Sequence, residues 1–137
     1  MLQQTQVKTV IPYFKNFLRH FPSLKSLSKS NEKKVLKLWE GLGYYRRARN
    51  LLSTAKILVK EHNSKLPNKI LDMKKLPGIG DYTANALLAF IYDQPTIAVD
   101  GNVKRVFSRL LNKNEELIDL VKIIEINKKT LFKVKRH

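Results

Sequence analysis

Apolar residues recur with helical spacing along most of the chain. Val10, Tyr13, Phe14, Phe17, Leu18 and Phe21 mark one helical face. Pro12 suits the first turn of that helix, with Thr9 as its N-cap, and Pro22 closes it. Ser30 or Asn31 can cap a second helix carrying Val35, Leu36 and Trp39, which Gly41 and Gly43 end. Tyr45, Ala48, Leu52, Ala55, Leu58 and Val59 predict a longer helix from about Tyr44 to His62, with Tyr45 on its apolar face. Asn63–Pro67 reads as a loop and Ile70–Met73 as a short helical turn. An apolar helix follows over about Asp81–Tyr92, then another over about Gly101–Leu111. The last helix starts near Asn114, is striped by Leu117, Leu120, Val121 and Ile124, and runs into a basic tail over Thr130–His137. Thr96–Val99 has β-branched character but nothing obvious to pair with. The predicted fold class is therefore all-α without a sheet, a partial helical barrel with a core over residues 1–111 and a C-terminal helix and basic tail over 112–137.

The length of 137 residues suits one domain, and 43% hydrophobic residues are enough to bury a core. No apolar run is long enough to span a membrane, and the start lacks the order of a secretory signal. The absence of cysteine excludes disulfides, thiolate zinc sites, a cysteine nucleophile and a cysteine-held iron–sulfur cluster within this chain. A cytoplasmic location is compatible with that composition. With 27 Lys and Arg against 11 Asp and Glu, the formal charge is +16. Such a field favours polyanions, nucleic acid above all, through counterion release. A membrane surface fits less well, because the basic residues are not gathered on one amphipathic helix.

Three segments carry candidate chemistry. Leu76-Pro77-Gly78-Ile79-Gly80 lies between two helices, and its glycines let backbone N–H groups approach a ligand. Asp81, Tyr82 and Thr83 then open a helix whose positive end faces back at the loop, a geometry suited to phosphate. An ordinary tight turn explains the glycines about as well, and the net charge favours phosphate. In Gly41-Leu42-Gly43-Tyr44-Tyr45-Arg46-Arg47 the tyrosines could stack on bases, and Arg46, Arg47 and Arg49 could meet phosphates. The alternative is a core tyrosine and a solvated arginine face, the reading preferred for Tyr45. Asp100, just before the helix that starts near Gly101, reads as an N-cap or as a catalytic carboxylate in a basic cleft, roles that need separate carboxylate rotamers or separate residues and so compete only in part. The residues by themselves favour the cap.

Three motifs in one order, MLQQTQV…VIPYF, LWEGLGYYRRARNL and LPGIGDYTA…AVDGNVKRV, resemble adenine DNA glycosylases of the helix-hairpin-helix, Gly/Pro…Asp superfamily. The likeness runs from Met1 to about Leu111. It implies a compact all-α glycosylase core whose hairpin, Gly78, Ile79 and Gly80 included, grips the DNA backbone. It implies that Asp100 is the catalytic aspartate and that Asn102 supports the same site. Tyr82 stands where bifunctional relatives similar to endonuclease III carry a Schiff-base lysine, which implies base removal without lyase chemistry. Gln4 and Tyr44 would wedge into the duplex, Thr5 and Leu42 would face 8-oxoguanine, and Lys104 would lie near the DNA. The implied substrate is double-stranded DNA with adenine opposite 8-oxoguanine or guanine. The implied agent is a monomer at the bacterial nucleoid, in base excision repair.

The sequence departs from that pattern in two places. The family's catalytic glutamate lies just upstream of the segment matching Met1–Gln4, and Glu32, Glu40 and Asp81 do not take its position. The four cysteines that hold the family's [4Fe-4S] cluster have no counterpart, so no cofactor or metal is expected in this chain. The chain reads as truncated at both ends, through a wrong start, a split gene or decay. Little glycosylase activity is expected of it, since a lost general acid costs ~10²–10⁴ in rate. The alternatives are a helix-hairpin-helix DNA-binding module without chemistry and an endonuclease III-like glycosylase.

Overall fold

The computed structural model describes residues 1–112 and 122–123. Among them seven helices follow one another: α1 (Val7–His20), α2 (Leu24–Ser28), α3 (Glu32–Trp39), α4 (Arg46–Glu61), α5 (Ile70–Met73), α6 (Asp81–Tyr92) and α7 (Gly101–Leu111). No described residue is in a strand. Thr96–Val99 has no regular secondary structure and is tied to α6 by Thr96 Oγ1, which donates to Asn85 at 2.8 Å from Oδ1 and 3.2 Å from the carbonyl. The helix expected from Asn114 and the basic tail lie outside the described residues, apart from Lys122 and Ile123.

The chain forms two compact units. The first comprises Met1–Pro67 and Leu71–Gly78; the second takes Asn68–Ile70 and the chain from Ile79 onward. The core of the first unit is built on Phe17, which meets Phe21 edge-on at 4.9 Å and Trp39 at 6.1 Å. Val10, Leu27, Val35, Leu42, Ala48, Leu52 and Ala55 complete it. Burying each large apolar side chain contributes about 1.5–3 kcal/mol. Helix α4 packs on α2 and α3, and α1 on α3. In the second unit Ala84 and Leu88 are the buried residues of α6. Among the described residues no helix is long and apolar enough to cross a membrane.

Local chemistry sets the ends of the elements, and it corrects several expectations. Helix α1 begins at Val7 after Gln6, so Thr9 is not its cap and Pro12 stands inside the helix. Pro12 has no N–H to give the Lys8 carbonyl, and both residues are at exposed positions. The buried stripe of α1 is also narrower than its periodicity. Val10 and Phe17 are buried, whereas Phe14 and Leu18 are exposed. Helix α2 was not foreseen. It rests on a capping box, in which Ser23 Oγ accepts from Ser26 N and Ser26 Oγ from Ser23 N, both at 3.1 Å. Asn31, not Ser30, caps α3, with Oδ1 accepting from Lys34 N at 2.8 Å. Tyr45 is 41% exposed, because it is the residue before α4 and not part of its inner face.

Candidate nucleic-acid interface and active site

In the first unit two irregular segments meet on one side chain. Met1–Thr5 makes a turn closed by Thr5 N donating to the Leu2 carbonyl at 3.2 Å. Leu42–Tyr44 links α3 to α4. Gln4 and Tyr44 both adopt left-handed backbone, at φ +54° and +47°, which costs an L-residue about 1–2 kcal/mol. Both are exposed, Tyr44 at 63%. Arg47 lies between the segments. Its Nη1 donates to the Met1 carbonyl at 2.7 Å, to Thr5 Oγ1 at 2.9 Å and to the Gln3 carbonyl. Its Nη2 donates to the carbonyls of Leu42 at 3.2 Å and Gly43 at 3.3 Å. The guanidinium carbon sits 5.3 Å from the Tyr44 ring centroid and 5.6 Å from that of Trp39. Trp39 Nε1 donates to the same Gly43 carbonyl at 3.1 Å.

Some sequence-predicted residues therefore take other roles. Arg47 is turned inward, its hydrogen bonds spent on the two loops, and is not a free phosphate ligand. Arg49 is paired with Glu32 at 2.7 Å. Arg46 is exposed in the first turn of α4. The Leu42 side chain is only 6% exposed and belongs to the core. From that position only backbone can face a base, because withdrawing the side chain would open a cavity. Thr5 is half-buried against Arg47.

The hairpin begins in the first unit. Thr54 Oγ1, on α4, donates to the Pro77 carbonyl at 3.1 Å. Gly78 has φ +78°, and a Cβ there would stand 2.6 Å from Asn50 Nδ2 and 3.0 Å from Asn50 Cβ. Geometry and packing both require glycine. Gly80, which opens the second unit's α6, differs. Its φ of −92° suits any residue, and a Cβ would meet nothing within 4 Å. No side chain caps α6. Ile79 is half-buried, and Tyr82 is 51% exposed one residue into the helix.

Also in the second unit, Asp100 is the N-cap of α7. A single oxygen, Oδ1, accepts from Asn102 N at 2.9 Å and Val103 N at 2.8 Å. Oδ2 makes no hydrogen bond to a described residue, and the side chain is half-buried. Capping takes one oxygen and leaves the other available in the same rotamer, so no separate rotamer is needed and the two readings of Asp100 do not exclude each other. Asn102 Oδ1 accepts from Arg105 at 3.2 Å. Lys104 is exposed, one helical turn beyond Asp100. Among the described residues no three His, Asp or Glu gather as a metal site.

A family model described as HhH-GPD superfamily base excision DNA repair protein matches residues 1–130. The chain belongs to this family. It is 50% identical over 121 residues to the adenine DNA glycosylase of Buchnera aphidicola subsp. Baizongia pistaciae, covering 87% of this chain and 34% of that protein. It is 42% identical over 111 residues to the human adenine DNA glycosylase, covering 80% of this chain and 20% of that one. The chain thus spans about a third or less of the curated relatives it matches. A thermostable thymine-DNA glycosylase shares the fold with a TM-score of 0.80 at 22% identity, over 95% of this chain and 61% of its own. A trapped endonuclease III–DNA covalent intermediate does so with a TM-score of 0.77 at 24% identity, over 98% and 62%. The HhH-GPD membership confirms the all-α fold class expected from the sequence. The [4Fe-4S] cluster implied by the resemblance finds no thiolate in this chain.

What the sequence did not disclose is the inward role of Arg47 and the support that Asn50 and Thr54 give to the hairpin. The available signal was their spacing on α4, three and four residues apart, which places them on one helical face.

Proposed function

We propose that this chain is the DNA-gripping and carboxylate-bearing part of an adenine DNA glycosylase of base excision repair. Its substrate is double-stranded DNA with adenine opposite 8-oxoguanine or guanine. It acts as a monomer in the cytoplasm, at the nucleoid. Gly78, Ile79 and Gly80 hold the strand through backbone N–H groups, while Arg46 and Lys104 neutralise phosphate. Gln4 and Tyr44 enter the stack, and Thr5 with the Leu42 backbone faces the opposing base. Adenine leaves the stack before reaction, since its glycosidic bond is unreachable inside the duplex. As the bond breaks, its electron pair departs with the adenine, whose ring nitrogen takes up a proton. The sugar left behind is oxocarbenium-like; the oxygen of a water bonds to the same carbon and releases a proton to solvent, which balances the one the adenine takes up. Asp100 Oδ2 stabilises that positive charge, Asn102 supports the site, and Tyr82 offers no amine for a Schiff base.

The observation that carries this reading is the Asp100 carboxylate, fixed by α7 through Oδ1 alone and carrying a second oxygen free of hydrogen bonds to described residues. The proton donor to adenine is not assigned to a residue of this chain. The test therefore addresses the carboxylate. Duplexes carrying a cationic pyrrolidine sugar or a neutral tetrahydrofuran sugar opposite 8-oxoguanine are bound by the wild-type chain and by Asp100→Asn. Wild type is expected to prefer the cationic sugar about tenfold, a difference of about 1.4 kcal/mol. Asp100→Asn, whose amide oxygen still caps α7, is expected to lose that preference. Any adenine released in a single turnover should vanish with the same substitution. The cap itself favours one second reading, a non-catalytic DNA-binding module, for which both proteins bind the two sugars alike.

A further inference from the structure

We infer that Arg47 is a positioning residue for lesion recognition, whose one guanidinium sets the Met1–Thr5 turn and the Leu42–Tyr44 loop in a fixed relation. This rests on the proposed roles of Gln4 and Tyr44. Neither residue is held by hydrogen bonds of its own side chain to the other segment. Both stand in left-handed backbone that L-residues avoid, so the surroundings must impose it. Arg47 is what the two segments share. Nη1 takes the carbonyl of Gln3, the residue before Gln4, with Met1 O and Thr5 Oγ1 on either side. Nη2 takes the carbonyls of Leu42 and Gly43, the two residues before Tyr44, whose ring lies against the same guanidinium. The stem is fixed as well, because Arg47 belongs to α4 and is backed by buried Trp39. A planar group donating along two edges can index two loops at once. An ammonium, a point charge with three donors, cannot reproduce that fan.

The test compares wild type, Arg47→Lys and Arg47→Met as 137-residue chains. Amide hydrogen exchange in the free protein comes first. Exchange across residues 2–5 and 42–44 is expected to quicken about tenfold or more in both variants, while α4 keeps its protection. Unchanged protection of the two loops would overturn the clamp. The second readout is 2-aminopurine fluorescence beside adenine opposite 8-oxoguanine, at saturating protein, so that affinity does not enter. Wild type is expected to raise the signal by unstacking the duplex. Arg47→Lys, which keeps charge and fold, is expected to lose at least half of that rise. An undiminished rise in Arg47→Lys would overturn the recognition role even with loosened loops. No rise with wild type would refute the glycosylase reading and the recognition role with it, while the exchange data alone decide whether the clamp exists. Salt dependence separates a direct phosphate contact. If Arg47 met phosphate, Arg47→Met would lower the slope of log affinity against log salt by about one. An unchanged slope is expected.

Discussion

Gly78 and Gly80 sit two residues apart in one hairpin, and the structure gives them opposite reasons for being glycine. Alanine at Gly78 must hold φ near +78°, at about 1–2 kcal/mol. It must also place a Cβ 3.0 Å from Asn50 Cβ and 2.6 Å from Asn50 Nδ2. The amide can swing away, but the Asn50 Cβ moves only with α4. Overpacking of this kind costs about 1–3 kcal/mol. Gly78→Ala should therefore lose about 2–5 kcal/mol, a large part of a typical margin of about 5–15 kcal/mol. In a domain of this size that lowers Tm by roughly 10 °C or more. At Gly80 the backbone is ordinary and the space open. Gly80→Ala should leave Tm within a few degrees, or raise it slightly by restricting the unfolded chain.

Thermal unfolding followed by circular dichroism, beside duplex binding by anisotropy, separates the two. Gly80→Ala should stay folded yet weaken binding, because its Cβ occupies space a phosphate needs. Adding Asn50→Gly, which removes the Asn50 Cβ, to Gly78→Ala should recover the packing part and leave the strain, a coupling of about 1–3 kcal/mol once the cost of Asn50→Gly alone is subtracted. Equal losses of Tm at the two glycines would refute the reasoning. So would a Gly78→Ala defect that Asn50→Gly leaves untouched, since the cost would then not lie in the Asn50 contact.

Other expectations follow from single contacts. Asp100→Ala should cost about 0.5–2 kcal/mol as a lost N-cap, and Asp100→Asn much less, both read by thermal unfolding. Asn31→Ala removes the bond to Lys34 N and should cost about 1 kcal/mol in the same assay. Leu42→Ala should cost about 2–5 kcal/mol by denaturant unfolding, where a residue offered to the DNA would lose binding and little stability. With a charge of +16, duplex affinity should fall linearly as log salt rises, with a slope near −0.9 per phosphate neutralised.

The parts of the fold legible in the sequence are those where local signals agree with packing. Helices α5, α6 and α7 lie where apolar spacing and flanking turn residues place them. The start of α1 was not legible, because Pro12 suggests a first turn while the helix begins at Val7. Periodicity also overstates burial. Phe14 and Leu18 share the apolar stripe of α1 with Phe17, yet only Phe17 meets Trp39 and Phe21. The motifs identified the candidate loops, but not which side chain each one spends on itself. The resemblance implies that Leu42 faces 8-oxoguanine, and the charge of Arg47 suggests a phosphate contact. Packing claims the first, and five hydrogen bonds claim the second.

Those assignments converge on α4. Arg47, Asn50 and Thr54 fall within an arc of about 60°, given ~100° per residue. Arg47 fixes the two loops that carry Gln4 and Tyr44, Asn50 backs Gly78, and Thr54 holds the Pro77 carbonyl. The neighbouring face of the same helix buries Ala48, Leu52, Ala55 and Leu58. A helix anchored in a core is stiffer than the loops it supports, so three polar positions on it set three irregular segments against one reference. This explains why the Arg47 and Thr54 side chains are spent inward, on backbone carbonyls, instead of reaching for phosphate. It also orders the expected damage. Thr54→Val keeps volume and shape but removes the donor to Pro77 O, so it should loosen the hairpin while leaving exchange at residues 2–5 and 42–44 unchanged. Arg47→Lys should do the reverse. If either substitution loosened all three segments together, α4 would be transmitting a loss of its own stability, and the independent reference it is argued to provide would not exist.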